Sequence, residues 1–326
     1  MAVQPDLIGV DFSSAPTRRK PIMVAHGQRD ANVVQLLRLE RFDSLAAFGQ
    51  WLALTPTWIG GFDLPFGLPR ELVQTLGWPT DWRACIGHYT GLTRPQIRTT
   101  FAAFCNARPA GSKFAHRRCD SPAGSSPSMK WVNPPVAYML HAGVPLLLAA
   151  QAWCPAHEAM PGAVGPTASD ARAAGHSADH SADHSADHGA STVSLRVALE
   201  AYPGLLAREL IGLRSYKSDE RAKQTAERLI ARKDMVDALE QGRTRLGLRL
   251  RLRAAQREAL VDDASGDALD ATLCLLQVAW AASQPHWGLP REVDGLEGWI
   301  ITAPVAAPAA KMHADPARRR RPVVPA

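Results

Sequence analysis

Four aspartates carry the chemistry that this sequence offers. Asp11 ends the stretch Asp6-Leu-Ile-Gly-Val-Asp11, which continues into Phe-Ser-Ser-Ala15. Asp63 ends Trp58-Ile-Gly-Gly-Phe-Asp63, and Asp267 and Asp270 open the apolar run Asp267-Ala-Leu-Asp270-Ala271. Each acid has an ordinary explanation on its own. Asp11 could close any first strand, Asp63 could cap a turn, and two acids at a helix start favour the helix dipole. Glu200, before Tyr202-Pro203, could be a plain strand-end acid. Taken together they are harder to dismiss, because acids gathered at the ends of apolar elements repel one another and lose solvation unless a cation compensates. An all-oxygen set suits Mg²⁺ or Mn²⁺. Two such ions, about 3.5–4 Å apart, suit in-line displacement at phosphorus.

The elements that must position these acids read as α/β. Leu7, Ile8 and Val10 suit a buried strand, and Gly9 permits close backbone approach. Pro21-Ile-Met-Val-Ala25 and Val33–Leu39 predict two further strands in an antiparallel meander. Ser44 can cap a helix whose Leu45, Phe48, Trp51 and Leu52 share one face. Trp58–Phe62 is the next strand. Residues 64–135 read as an elaboration, with short helices around Arg70–Leu76 and Gln96–Asn106. Ala137–Trp153 predicts a helix interrupted near Gly143 and Pro145. Beyond it come a strand over Val193–Ala201, helices over Glu220–Lys233 and Met235–Leu260, the apolar helix from Asp267, and a short strand at Trp299–Ile301. Asp267 and Asp270, three residues apart, share a face of that helix.

Residues 155–192 change character. They are rich in Ala, Gly, Ser, Pro and His and repeat a tetrapeptide: His176-Ser-Ala-Asp, His180-Ser-Ala-Asp, His184-Ser-Ala-Asp, His188. We expect a disordered low-complexity insertion there. A helix would align the four histidines into a metal-binding face, but slippage in a tolerant loop explains the repeat more simply. Residues 1–154 and 193–303 then form one domain, and 304–326 a disordered basic tail containing Arg318-Arg-Arg-Arg321.

At 326 residues, 46% hydrophobic and 21% charged, the chain can bury a sizeable core. Its net charge of +6 permits a nucleic-acid partner without requiring one. No apolar run is long enough to span a bilayer. The five cysteines, Cys85, Cys105, Cys119, Cys154 and Cys274, form no CxxC pair, and no signal peptide precedes Asp6. The expected setting is therefore reducing and cytoplasmic. Oligomeric state is left open.

Several basic and aromatic residues qualify as substrate contacts. Arg117, Arg118, Lys130 and Trp131 lie on a Pro-rich loop, where they could meet phosphates and stack a base. The bland alternative is a solvated loop with Trp131 packed on the body. Lys217, next to Tyr216, and Arg221 form a second group, and Ser13 follows the first acid. Cys119 lies near His116 and Asp120, but adjacency in sequence does not establish a nucleophile.

Gly9-Val-Asp11-Phe-Ser, Gly61-Phe-Asp63-Leu-Pro-Phe-Gly67-Leu-Pro, Glu200-Ala-Tyr-Pro203 and Asp267-Ala-Leu-Asp270-Ala resemble, in order and spread across residues 7–280, the family called domain of unknown function 429. That family is regarded as ribonuclease H-like and described as a predicted nuclease. The last motif is also similar to the Asp-Ala-Ala-Asp-Ala segment of RuvC-type Holliday junction resolvases. The resemblance implies a ribonuclease H-like mixed sheet with helices on both faces, and metal-dependent hydrolysis of a nucleic-acid phosphodiester. It assigns Asp11 as the first-strand ligand, Asp63 as the mid-sheet ligand, Asp270 as a ligand, and Asp267 as a further ligand or supporting acid. Glu200 matches the Glu-x-Tyr/His-Pro motif and is counted among the metal ligands, although the motif does not define its role. A nucleic-acid or nucleotide binding module without turnover is the alternative, with a phosphotransferase third. The insertion and the Arg/Pro loop over 107–135 lie outside the ribonuclease H core.

Overall fold

The computed structural model describes residues 6–109, 111–160 and 195–305. Six strands form one mixed sheet. They are β1 (Asp6–Asp11), β2 (Ile22–Asp30), β3 (Val33–Phe42), β4 (Trp58–Asp63), β5 (Arg196–Glu200) and β6 (Arg249–Arg251), in the order β5-β4-β1-β2-β3-β6. β2 pairs antiparallel with β1 and β3, while the β1–β4, β4–β5 and β3–β6 pairs are parallel. The expected meander is present. The expected strand over Val193–Ala201 is shorter and begins at Arg196.

Alternation along the strands feeds two cores. Ile8, Val10, Ile22, Val24, Trp58 and Phe62 point to one face. There they meet α1 (Leu45–Leu54), α3 (Trp82–Thr90), α4 (Arg94–Asn106) and α6 (Val136–Ala149), with the short α2 (Arg70–Thr75) alongside. Leu7, Met23, Ala25 and Ile59 point to the other face, against α7 (Pro203–Ile211), α8 (Ala226–Glu240), α9 (Ala254–Asp262) and α10 (Asp267–Ala281). The remaining helix, α5 (Asp120–Ala123), is a single turn. The fold is thus α/β, with a mixed sheet and helices on both faces, as expected of a ribonuclease H-like domain. Ser44 caps α1 by accepting from the Ala47 N–H at 3.1 Å.

α10 is buried on nearly every side. Gly9 makes its docking possible: a Cβ there would lie 2.1 Å from the Ala271 carbonyl oxygen and 2.1 Å from the Leu275 nitrogen. Helix backbone therefore rests directly on strand backbone. The same contact fixes the first turn of α10 beside the end of β1.

Three local expectations differ from the structure. The helix expected over Met235–Leu260 is interrupted by turns at Gly242 and Gly247, with φ of +71° and +66°, followed by β6. The alternation Arg249-Leu-Arg-Leu-Arg253 is a period-two signal that lets Leu250 face the core while its arginine neighbours stay exposed. α6 runs unbroken through Pro145. Trp299–Ile301 is not a strand, although the Ile301 N–H donates to the Glu200 carbonyl at 2.9 Å.

Most of the expected insertion, and the tail beyond 305, lie outside the described residues. Its first residues, however, belong to the folded body. His157 stacks on Trp82 with ring centroids 4.3 Å apart, and its Nδ1 lies 2.7 Å from the Gly295 carbonyl oxygen.

Candidate active site

The parallel register of β1 and β4 sets Asp11 directly beside Asp63 at the carboxyl ends of neighbouring strands, about 4.8 Å apart. This is the edge of an open α/β sheet where ligands bind. α10, seated on Gly9, brings Asp270 and Asp267 to the same place. All four carboxylates lie close enough for their charges to interact. Asp11 and Asp63 are each destabilised by the charge of Asp270, and Asp11 also by Asp267 and Asp63.

Burial comes first in shifting these acids. It lifts Asp11 well above the usual carboxylate range, with Asp270 adding to the rise and Lys217 opposing it. Burial and then Asp270 push Asp63 up to about 7. Asp267 is raised by burial against the pull of Lys20.

Two ammonium groups answer the helix acids. Lys20, in the loop after β1, donates to Asp267 Oδ1 at 2.6 Å and to Asp219 Oδ1 at 3.0 Å. Lys217, between α7 and α8, donates to Asp270 Oδ2, and the Tyr216 hydroxyl donates to Asp270 Oδ1. Burial works against the charge of Lys217, but Asp270 and Asp11 hold it well above the usual lysine range. Lys20 is raised in the same way to about 12. The compensation is incomplete. Asp267 Oδ2 is buried without a hydrogen-bond partner. Among the described residues, no protein donor bonds the carboxylates of Asp11 or Asp63.

Asp11 and Asp63 form the floor of an open cleft of about 660 Å³. Phe12, Pro134, Met139 and Tyr202 supply apolar walls, and Ser13, Lys20, Arg214 and Lys217 line it with polar groups. The donor chemistry suits a hard divalent cation. Nevertheless, among the described residues no three His, Cys, Asp or Glu side chains are arranged around a common ion position. The lysines are bonded to the helix acids instead.

The sequence-predicted residues therefore separate into groups. Asp11, Asp63, Asp267 and Asp270 come together, and Ser13 and Lys217 join them at the cleft. Arg117 does not serve as an exposed phosphate contact: it is 3% exposed. Its guanidinium donates to Glu200 Oε1 and Oε2, each at 2.7 Å, to Asp120 Oδ1 at 2.9 Å and to the Glu297 carbonyl at 3.2 Å. A buried guanidinium needs such partners, which leave it no donor for a phosphate.

Glu200 is engaged through both oxygens by Arg117 and also accepts from the Phe66 N–H at 2.9 Å. It faces a small side pocket of about 80 Å³ shared with Asp63, and does not line the larger cleft beside Asp11. Trp131 packs against Phe101 and Phe114, the bland alternative. Lys130 and Arg221 do not line the cleft. Arg118 is exposed, with its backbone N–H donating to Glu297 Oε2 at 3.0 Å. Cys119 is buried, and burial pushes its thiol up to about 12, so it is no ready nucleophile.

Sequence reasoning missed Lys20, whose only signal was its closeness to Asp11. It also treated Tyr216 as a surface companion of Lys217 rather than the donor to Asp270. No curated protein and no solved structure matches the chain. A family model described as Protein of unknown function (DUF429) matches residues 9–293, and the chain belongs to that family.

Proposed function

We propose that the protein is a metal-dependent nuclease that hydrolyses a nucleic-acid phosphodiester. Asp11, Asp63 and Asp270 would hold Mg²⁺ or Mn²⁺, with Asp267 as a further ligand. The observation that carries this reading is the pairing of Asp11 with Asp63 at the cleft floor, backed by two helix acids and, among the described residues, lacking protein donors of its own. A bound divalent ion would supply Lewis acidity and a more acidic water. The chain's residues do the rest. Asp11 and Asp63 present oxygens to the cleft. Burial of Asp270 keeps competing water from that side. Ser13, Arg214 and Lys217 face the space where a phosphate would lie. A reducing, cytoplasmic setting belongs to the same reading and agrees with five free, buried cysteines.

A second reading, a nucleic-acid or nucleotide binding module without turnover, is favoured by one observation. The helix acids already hold ammonium partners. The two readings separate in one assay, in which wild type and Asp11→Asn are tested with Mn²⁺ on single-stranded, duplex and branched DNA and RNA. The nuclease reading expects cleavage that EDTA stops and Asp11→Asn abolishes, with affinity for nucleic acid retained. Equal, EDTA-insensitive activity in both proteins would overturn it. Salt-sensitive binding without cleavage would establish the binding module.

A further inference from the structure

Two walls rise from the cleft floor, and they differ in chemistry. One is formed by residues 134–139, where the chain enters α6. Pro134 and Pro135 are exposed, and Val136 and Met139 are half-buried, so this wall turns apolar surface to the cleft. The other runs from Tyr202 along α7 to the turn beyond it. Gly212, at φ +65°, ends α7, and Leu213 follows it with 95% of its surface exposed. A lone exposed leucine needs no explanation. This one stands on the lining of the cleft, next to Arg214.

The arginines of the second wall are free of the floor. Lys20 and Lys217 are bonded to Asp267 and Asp270, whereas Arg208 and Arg214 are not. Arg214 pairs with Asp234 where both side chains are about half exposed, and such a surface pair holds its partners weakly. Arg208 is half-buried and, among the described residues, bonds no carboxylate. Its guanidinium lies 5.3 Å from the centre of the Tyr202 ring. It donates to the Tyr202 hydroxyl at 3.3 Å and to the Ala123 carbonyl. A guanidinium carries five donors, so these contacts set its position and leave others for a ligand. Arg208 also lines an adjoining open groove of about 410 Å³ with Ser121 and Arg245. The polar path therefore continues past the cleft.

An apolar wall beside arginines suits a ligand that carries both a flat apolar face and phosphates. At about 660 Å³ the cleft has the size of a small-ligand site. In a duplex the base faces are stacked on one another and only base edges reach the grooves. An unpaired nucleotide exposes its base face. We infer that the cleft takes an unpaired nucleotide of a single strand. Its base would lie against Pro134, Pro135, Met139 and Leu213, and its flanking phosphates on Arg208 and Arg214. This rests on the nucleic-acid half of the proposed function and needs no metal ion.

The test measures binding alone, with the whole chain in EDTA. Fluorescence anisotropy follows labelled DNA and RNA of about a dozen nucleotides, each as a single strand and as a blunt duplex, over a range of salt concentrations. Single strands should bind about tenfold tighter than duplexes, the equivalent of one stacked base. Leu213→Ser should weaken single-strand binding several-fold and leave its salt dependence unchanged. Arg214→Gln should weaken it and reduce the slope of log affinity against log salt by about 0.7, the loss of one phosphate contact. Lys113→Gln, an exposed position outside the cleft lining, should change neither. All three substituted side chains are exposed, and melting curves confirm that each variant folds. Duplexes or a free nucleoside monophosphate binding as tightly as single strands, Leu213 and Arg214 variants binding like wild type, or no binding at all would overturn the proposal. Single-strand binding that depends on both residues, without Mn²⁺-dependent cleavage by wild type, would retire the nuclease reading and support this one. Mn²⁺-dependent cleavage with both variants binding like wild type would do the reverse.

Discussion

Asp63 shows how a single side chain registers the state of the cluster. Burial and the charge of Asp270 raise it from the ordinary 3.8 to about 7. Its folded form therefore holds a proton that the unfolded chain releases near 3.8. Its contribution to stability is fully present below that lower value and is lost as pH rises through about 7. Metal-free protein should thus lose stability across this window, by up to about 1.4 kcal/mol per pH unit from this one group. Asp63→Asn should flatten the decline, measured as the urea midpoint against pH. An identical pH profile in the variant would show that Asp63 does not feel its neighbours. The acids were the part of the site most legible in sequence, because an aspartate at the end of an apolar run is visible without coordinates. Their partners were not. Lys20 and Asp267 are far apart in the chain and meet only through the fold, and no local pattern marks such a pair.

At the scale of elements, the contact between β1 and α10 decides whether there is a site at all. Gly9 was read as a place of close approach, and the structure supplies the reason: the backbone at Ala271 and Leu275 occupies the space that a Cβ would need. Gly9→Ala should cost about 3 kcal/mol or more, because neither backbone can yield without strain. The variant should also weaken Mn²⁺ binding by drawing Asp267 and Asp270 away from Asp11. A melting temperature within a degree or two of wild type would contradict this account. Periodicity revealed this helix and the central strands because their burial is regular. β6 was hidden inside an expected helix, since three residues of alternation are easily overruled by the amphipathic pattern on either side.

Across the whole molecule, the buried ion network of Arg117, Asp120 and Glu200 ties the 107–135 elaboration to the edge of the sheet. It joins a loop, the end of β5 and, through the Phe66 N–H, the segment after Asp63. Arg117→Met would strand two carboxylates in the interior and should destabilise by about 3–5 kcal/mol. Adding Glu200→Gln should recover part of that loss, because one uncompensated charge is removed. Chemical denaturation of the single and double variants measures this coupling directly. Additive losses would mean that the two residues do not act as a pair. The sequence exposed Arg117 as basic and Glu200 as acidic but could not show that each is the other's partner. Charge on a Pro-rich loop reads equally well as a surface for phosphates.

The hydrogen-bonded bridge that Trp153 makes beyond β5 has a consequence for how this protein can change over time. The Trp153 N–H donates to the Arg196 carbonyl, and the Ala198 N–H donates to the Trp153 carbonyl, each at 2.8 Å. The chain therefore departs and returns at neighbouring points on the outer side of β5. Whatever path the intervening residues take, their ends are already held together, and the cost of closing a loop grows only slowly with its length. Copies of the His-Ser-Ala-Asp unit can be gained or lost in replication without pulling on the sheet or moving an aspartate. Varying the number of repeats should therefore leave the melting temperature nearly unchanged, and the repeat is a natural point of entry for a grafted domain or a reporter peptide.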